Sequence, residues 1–451
     1  MFEKQAHNIF FFIAHAVLAY LSVQSSTVGL VWGTAILGIG VIHIIRSGNE
    51  NNEAAYYAAY WMGLEIVLRM NGGSLSYESG KYGIIIFLLC GLIFEHRAFR
   101  LPRKFLLFFL LLLPATTVVE FESFGEARKD MLFNISGPLS LIFSALYFYR
   151  RTFTKEQVNK ILYFILLPVF SLGIVLFFKT PEIAEIEFTL NSSAKLSGGF
   201  GANQVSTILG LGIFIMGFAI FLKFQITGYR LLDIALFAYF SFRGLLTFSR
   251  GGVVTAIVAL ALSLIVYAIV SNDGRLVRQI IVTSFFIGIA GFFAWDYTNN
   301  VTGGFLQKRY ANESSNPFKK RDITTGRLTI ILSELKAFQE YPVLGAGLGM
   351  GKKYREERNI HFRASHTEFS RLLAEHGLYG LMALLILLFS PVAHYFWSNE
   401  QSKPYVVAFA VLGLMTMLHA AMRLSMPGFM YGLIFISVIP SKDDSVHREQ
   451  T

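Results

Sequence analysis

The residues of this chain that could do chemistry concentrate in one polar segment, residues 296–378. This segment contains Arg327, a run with glycine at positions 345, 347, 349 and 351, and the tetrapeptide Ser365-His366-Thr367-Glu368. Between residues 297 and 378 it carries thirteen basic and eight acidic residues. Arginine offers fixed donors to phosphate oxygens, and a neutral histidine can accept a proton. The segment therefore predicts a site that takes an anionic ligand.

Two local structures are expected around the glycines. Apolar residues at helical spacing predict an amphipathic helix from Arg327 to Tyr341, which Pro342 ends and which packs on the mouth of a helix bundle. The glycine run after it predicts irregular backbone that a ligand can approach closely. It lacks the Lys-Ser/Thr ending and the βαβ context of a nucleotide-binding loop.

The tetrapeptide predicts the start of a second helix. Ser365-x-x-Glu368 has the pattern of a capping box, which would place His366 in the first helical turn. There the helix dipole disfavours the imidazolium form, so His366 would be a neutral base. The alternative for His366 is an ordinary polar residue at a helix end. Glu368 is interpreted as a helix cap, with an acid catalyst as its alternative.

The elements that must position these residues are membrane helices. The chain has 451 residues, of which 54% are hydrophobic and 15% charged, and its mean hydropathy is +0.53. Fourteen apolar runs of a length that can cross about 30 Å of hydrocarbon begin near residues 8, 27, 54, 82, 104, 131, 158, 203, 229, 251, 278, 379, 404 and 426. We therefore predict an all-α integral membrane protein with about 12–14 transmembrane helices.

The same pattern predicts one polytopic membrane domain over residues 1–450, with residues 296–378 inserted as a long loop bearing short amphipathic helices. Seventeen basic residues fall on the side of the N-terminus and eight on the opposite short loops. Because cytoplasmic loops carry the excess of Lys and Arg, both termini are expected in the cytoplasm and the long loop on the other side. The net charge of +10 then reflects topology, and no nucleic-acid partner is expected.

The sequence contains no pattern that predicts a metal site or a disulfide bond. Cys90 is the single cysteine, and no Asp-x-Asp pair occurs. Four histidines lie on separate predicted helices and are interpreted as packing residues: His15, His43, His394 and His419. No metal and no cofactor are expected.

Three motifs together resemble the O-antigen ligase and polymerase superfamily of bacterial membrane glycosyltransferases. The first is Arg327 followed by Pro342-x-x-Gly345-x-Gly347-x-Gly349 and a Ser365-His366 pair, opening a helix that closes with Gly377 and Gly380. The second is Gly199-Phe200-Gly201-Ala202-Asn203, and the third is Phe248-Ser249-Arg250-Gly251-Gly252. The family often has His-Asn where this chain has His366-Thr367.

The resemblance implies transfer of a glycan from undecaprenyl diphosphate to a sugar hydroxyl at the periplasmic face of the inner membrane. The acceptor would be lipid A-core or a growing glycan, and membrane lipids would surround the protein. It implies catalytic roles for His366, Arg250 and Arg327. It implies substrate binding by the following residues: Arg243, Asn203, Gly347, Gly349 and Arg423.

Several alternatives stay open on sequence alone. The enzyme would be a ligase, which the arginine and histidine pattern favours, or a repeat-unit polymerase with the same donor chemistry; a flippase for lipid-linked sugars is the non-enzymatic alternative. Arg243 and Arg250 could instead be interfacial residues whose side chains reach water. Glu65 and Arg69, at helical spacing, are interpreted as a structural ion pair. One basic cluster is interpreted as solvated surface or a lipid contact: Lys308, Arg309, Lys319, Lys320 and Arg321.

Overall fold

In a computed structural model the chain is described over residues 2–95, 102–119, 123–182, 192–311, 313, 326–360 and 365–440. The α-helices of these residues, in chain order, are α1 (Phe2–Gln24), α2 (Ser26–Ser47), α3 (Glu53–Met70), α4 (Ser79–Phe94), α5 (Arg103–Leu112), α6 (Phe124–Phe148), α7 (Lys155–Lys179), α8 (Ala202–Phe221), α9 (Arg230–Leu246), α10 (Arg250–Ser271), α11 (Gly274–Val301), α12 (Phe305–Tyr310), α13 (Arg327–Glu340), α14 (Gly351–Glu356), α15 (Glu368–Trp397), α16 (Lys403–His419) and α17 (Met426–Leu433). Short 3₁₀ turns occupy Pro114–Thr116 and Lys195–Ser197.

The expected all-α membrane class is confirmed. Each of the fourteen predicted apolar runs folds as a helix. Within the described residues, seven helices are long and apolar enough to cross a membrane: α2, α6, α7, α8, α10, α11 and α15. Shorter apolar stretches lie in α1, α4 and α16. With ten and eight residues, α5 and α17 are too short to span the hydrocarbon at 1.5 Å per residue.

The core of the bundle forms around α3, α7 and α8. Nearly every side chain of α3 and α8 is buried, and α7 packs against both of them. Glycine permits the closest crossing, because a Cβ on Gly252 of α10 would lie 1.9 Å from the Ser206 carbonyl oxygen of α8. By contrast α11 lies at the periphery and exposes a row of phenylalanines and isoleucines, the pattern expected of a lipid-facing helix.

The motif residues gather at one end of the bundle, which we call the polar end. There α3 and α16 finish and α8, α10 and α15 begin. At the opposite end Asn8 donates to the carbonyl of Thr227, which follows α8. A parallel pair of three-residue strands, β1 (Thr152–Thr154) and β2 (Ser437–Ile439), also lies there. The start of α1 and residue 440 thus share the end opposite the polar end.

Candidate functional site

His366 lies just before α15 and outside its first turn. The N-cap of α15 is Thr367, whose Oγ1 accepts from the Ser370 amide at 3.3 Å. The predicted capping box is therefore wrong: Ser365 Oγ bonds the backbone of Thr367, and Glu368 turns inward to an ion pair with Arg371. Asparagine is as good an N-cap as threonine. This explains how a threonine can stand where the family often has asparagine.

Glu334 of α13 fixes the loop that carries His366. Its carboxylate accepts from Ser370 Oγ at 2.6 Å and from Arg355 Nη1 at 3.1 Å, and its side chain is 2% exposed. Burial raises its pKa, while Ser370 and Arg355 counter that effect. The predicted helix is confirmed within one residue at its end, and the face that packs against α15 contains Ile330, Ser333, Glu334 and Ala337. The apolar residues that predicted the helix lie mostly on the other side, since Leu328, Leu332 and Leu335 are exposed.

Three half-buried arginines lie near one another, and two of them, Arg423 and Arg327, lie near His366. Arg423 Nη2 donates to the carbonyl of Ser365 at 2.6 Å, which brings it beside the histidine. The positive charge of Arg250 and of Arg423, added to burial, lowers the pKa of Arg327, so these three guanidinium groups lie close together. Among the residues that the structure describes, neither Arg327 nor Arg423 has a carboxylate partner. We call Arg250, Arg327 and Arg423 the arginine cluster.

The environment of His366 keeps its imidazole neutral. Burial, followed by the charges of Arg423, Arg327 and Arg355, lowers its pKa to about 3. The neutral state was expected from the helix dipole, but its causes are burial and the arginines. Nδ1 of His366 is buried and has no hydrogen-bond partner in the described part of the chain. The histidine is thus a proton acceptor whose basicity depends on the charge nearby.

The two upstream motifs meet each other beside this cluster. Ser249 Oγ donates to Asn203 Oδ1 at 3.2 Å, and Asn203 Nδ2 donates to the carbonyl of His419 at 2.7 Å. The ring of His419 lies against Gly251, where a Cβ would come within 2.6 Å of Nδ1. Asn203 therefore ties the starts of α8 and α10 to the end of α16. His419, interpreted as a packing residue, belongs to the site region.

Arg309 also belongs to this region. Its Nε donates to the carbonyl of Phe248 at 3.1 Å, and the side chain is 6% exposed. Phe248 has a left-handed backbone (φ 55°) that turns the chain from α9 into α10, and the arginine bonds this turn. The prediction that Arg309 is solvated surface or a lipid contact is wrong. Lys319, Lys320 and Arg321 of the same predicted cluster lie outside the described residues.

Arg243 contacts a different part of the molecule from the arginine cluster. Its Nη2 donates to the Leu176 carbonyl and to Thr180 Oγ1, both at 2.5 Å. These are the last turn and the C-cap of α7, where a buried cation bonds carbonyls that the helix leaves free. The described contacts of Arg243 are those of a helix cap, and substrate binding by it stays a prediction.

The glycine run packs against a break in α15. Gly377 has φ 58° inside that helix, and a Cβ there would lie 2.5 Å from the Val343 carbonyl oxygen. Gly345, Gly347 and Gly349 all have positive φ, and the Gly347 amide bonds the Glu375 carbonyl. These glycines are needed for backbone conformation and close packing. They fix the loop before α14 against α15, whereas ligand contact by Gly347 and Gly349 stays a prediction.

The intramembrane pair Glu65 and Arg69 holds the segment that carries Arg423. Glu65 Oε1 lies 2.5 Å from Arg69 Nη2. Glu65 Oε2 accepts from the backbone amide of Ser425 at 2.8 Å and from the Ser425 hydroxyl at 2.6 Å. Arg69 Nη1 donates to the Arg423 carbonyl at 3.2 Å. The pair connects α3 with residues about 360 positions later in the chain. No local spacing in the sequence signals this link.

Glu65→Ala is expected to destabilise the protein by about 3–5 kcal/mol, because it leaves Arg69 buried without its partner. Glu65→Gln, which keeps an oxygen for Ser425, is expected to lose less. The readout is the melting temperature of the detergent-solubilised protein. Glu356→Ala is the matched control, since Glu356 forms an exposed i,i+4 pair with Lys352 at 3.8 Å. Equal melting temperatures for the Glu65 and Glu356 alanine variants would contradict the assignment.

The arrangement can bind an anion and accept a proton at neighbouring positions. Over the described ranges, no group of three His, Cys, Asp or Glu side chains is placed to hold a metal ion. Residues 235–385 match the O-antigen ligase family, which confirms the resemblance to the O-antigen ligase and polymerase superfamily. That range is one third of the chain and contains Arg250, Arg327 and His366 but not Asn203 or Arg423. No curated protein sequence matches the chain.

Proposed function

We propose that this protein transfers a glycan from undecaprenyl diphosphate to an acceptor sugar hydroxyl. The match of residues 235–385 to the O-antigen ligase family supports this proposal. The acceptor in this proposal is lipid A-core, which makes the enzyme a ligase. The observation that carries the proposal is the arginine cluster near a neutral His366. Arg327 and Arg423 have no carboxylate partner among the described residues, and these cations, gathered with Arg250, suit a ligand with several negative charges.

In the proposed reaction the acceptor hydroxyl oxygen attacks the anomeric carbon of the donor glycan. The bond from that carbon to the diphosphate oxygen breaks, and undecaprenyl diphosphate leaves with the electron pair. The arginine cluster stabilises the negative charge that grows on the leaving group. His366 accepts the proton of the attacking hydroxyl. The arginine cluster thus acts on the oxygen of the leaving diphosphate, and His366 acts on the oxygen of the attacking hydroxyl.

The same charges couple donor binding to the basicity of His366. A bound diphosphate offsets the arginine charges that lower the pKa of His366 in the free protein. The histidine therefore becomes a stronger base when the donor is present. Burial and the arginine charges thus keep His366 unprotonated before the donor is bound.

The pH dependence of the transfer rate is expected to show this coupling between donor binding and the basicity of His366. Activity needs neutral His366, so the rate falls as pH drops through the pKa of its imidazole. In the free protein that pKa is about 3, and donor binding raises it. The acid limb of kcat is therefore expected at higher pH than the acid limb of kcat/KM. Steady-state rates between pH 4 and 8 should show kcat falling toward the acid end while kcat/KM stays level. A kcat/KM that falls at the same pH as kcat, or at a higher one, would contradict the coupling.

We place the polar end in the periplasm and both termini in the cytoplasm of the inner membrane. Support comes from the excess of basic residues on the side of the termini, together with the position of the α1 start and residue 440 opposite the polar end. Lipid-linked donor and acceptor would then meet the site from the outer leaflet. A cysteine placed at exposed Lys336 should react with a membrane-impermeant maleimide in intact spheroplasts if this orientation is right.

The test of function uses a strain that lacks this gene, with and without the wild-type gene restored. Lipopolysaccharide and carrier-linked glycans are separated on gels. Bare core with long carrier-linked polymer in the deletion strain, reversed by the wild type, supports the ligase. Core bearing a single repeat unit would mean a polymerase. Carrier-linked glycan accumulating on the cytoplasmic face would mean a flippase and would overturn the enzyme.

A further inference from the structure

A cavity of about 280 Å³ opens at the polar end next to the arginine cluster. Its lining comes from four parts of the chain: the first half of α6, the segment around α14, the start of α15 and the segment after α16. It shares Arg423 with the arginine cluster, whereas Arg250, Arg327 and His366 do not line it. The cavity is therefore a second space beside the arginine cluster.

His366 lies close to residues of both spaces. Arg327, from the arginine cluster, and Arg355, from the cavity wall, both contribute to the lowered pKa of His366. Ser365, the residue before the histidine, lines the cavity and accepts from Arg423 through its carbonyl. A group bound in the cavity would thus lie close to the histidine.

The charges of the cavity wall select the ligand. The two deepest cations are already paired, Arg355 with Glu334, and Arg371 with Glu368 and Glu375. Arg371 also donates to Asn134 Oδ1 at 3.1 Å, which fixes the floor. The remaining charged residues of the lining are Lys129 and Lys352, both exposed, with Arg423 and the half-buried Asp130. Lys352 has a loose contact of 3.8 Å to Glu356, so cations outnumber carboxylates among these residues. This part of the lining therefore favours an anionic group, while the paired floor offers hydrogen bonds to hydroxyls.

We infer that this cavity is the acceptor subsite and that it takes a saccharide bearing phosphate or carboxylate groups. The anionic substituents contact Lys129 and Lys352, and the sugar hydroxyl that reacts points toward His366. This inference rests on the proposed function, since it divides the two substrates of that reaction between the two spaces. The arginine cluster holds the donor and the cavity holds the acceptor.

The test measures donor and acceptor KM separately in proteoliposomes. The acceptor is lipopolysaccharide core purified from the deletion strain, and the donor is the carrier-linked glycan that the strain accumulates. Lys129→Ala/Lys352→Ala is expected to raise the acceptor KM about tenfold, with kcat and donor KM unchanged. Lys336→Ala is the control, because its side chain is 65% exposed and lies on α13 away from the cavity wall.

Chemical treatment of the acceptor distinguishes the anionic group. Core dephosphorylated with hydrofluoric acid, or core with its carboxyl groups reduced, is compared with untreated core. Wild type should lose affinity for one treated acceptor, and the double lysine variant should bind treated and untreated core equally. A rise in donor KM alone, or an unchanged acceptor KM, overturns the acceptor assignment. Absence of transfer by the wild type would instead contradict the proposed function.

Discussion

His366→Ala is expected to reduce glycan transfer by at least about 10²- to 10⁴-fold, the range that a positioned general base contributes. Membrane insertion and donor binding should persist, because the described hydrogen bonds that position the loop come from Ser365, Thr367 and Ser370. The measurements are initial rates in proteoliposomes and donor affinity on the same preparation. A rate loss with intact donor affinity assigns the histidine to proton transfer.

Two control variants separate this role from a structural one. His43→Ala removes an exposed histidine that contacts Tyr57 on the neighbouring helix, and it should leave transfer unchanged. His366→Gln keeps the size and a hydrogen-bonding group but cannot act as a base near neutral pH, so it should be as inactive as the alanine variant. Transfer near the wild-type rate in either His366 variant would exclude the histidine as the base.

Hydropathy predicted most of the architecture. Each apolar run is a helix because its backbone N–H and C=O groups find no water in lipid or in the protein core. A helix lets these groups bond one another within the run. The pattern could not show that α5 is short, since its apolar composition continues into turns. It also misplaced the start of α15, where two polar residues compete as N-cap and the packing of Ser370 on Glu334 favours Thr367.

The candidate site was predictable only in part. Motifs identified Arg250, Arg327 and His366, and the structure brings these together with Arg423, a substrate-binding candidate that lies outside the motifs. It does not bring Arg243 to them, because that guanidinium bonds the end of α7. Residues that hold the site from a distance carry no local signal.

Three of these supporting contacts illustrate the limit. Glu65 reaches Ser425 across the chain, Arg309 bonds the Phe248 turn, and Glu334 bonds Ser370. Each joins segments that only the tertiary fold brings together. Spacing rules cover neighbours within a helix or strand, so such contacts lie beyond them.

Arg327→Ala and Arg250→Ala are expected to weaken donor engagement or the transition state by about 2–5 kcal/mol, the cost of removing one partner from a buried charge contact. The reason is that each guanidinium faces a growing negative charge in a partly dehydrated site. Arg327→Lys should recover only part of the activity, because an ammonium lacks the planar pair of donors that matches phosphate oxygens. Donor affinity and kcat/KM are the measurements.

Protein stability distinguishes this role from a structural one. The three guanidinium groups repel one another when no anion is bound, as the lowered pKa of Arg327 indicates. Removing Arg327 should therefore leave the melting temperature of the free protein unchanged or higher, and it should abolish the stabilisation that the wild type gains from added undecaprenyl diphosphate. Lys336→Ala is the control for a surface cation. An activity loss no larger than in that control, or a fall in melting temperature without donor, would mean that Arg327 supports the fold and does not bind the diphosphate.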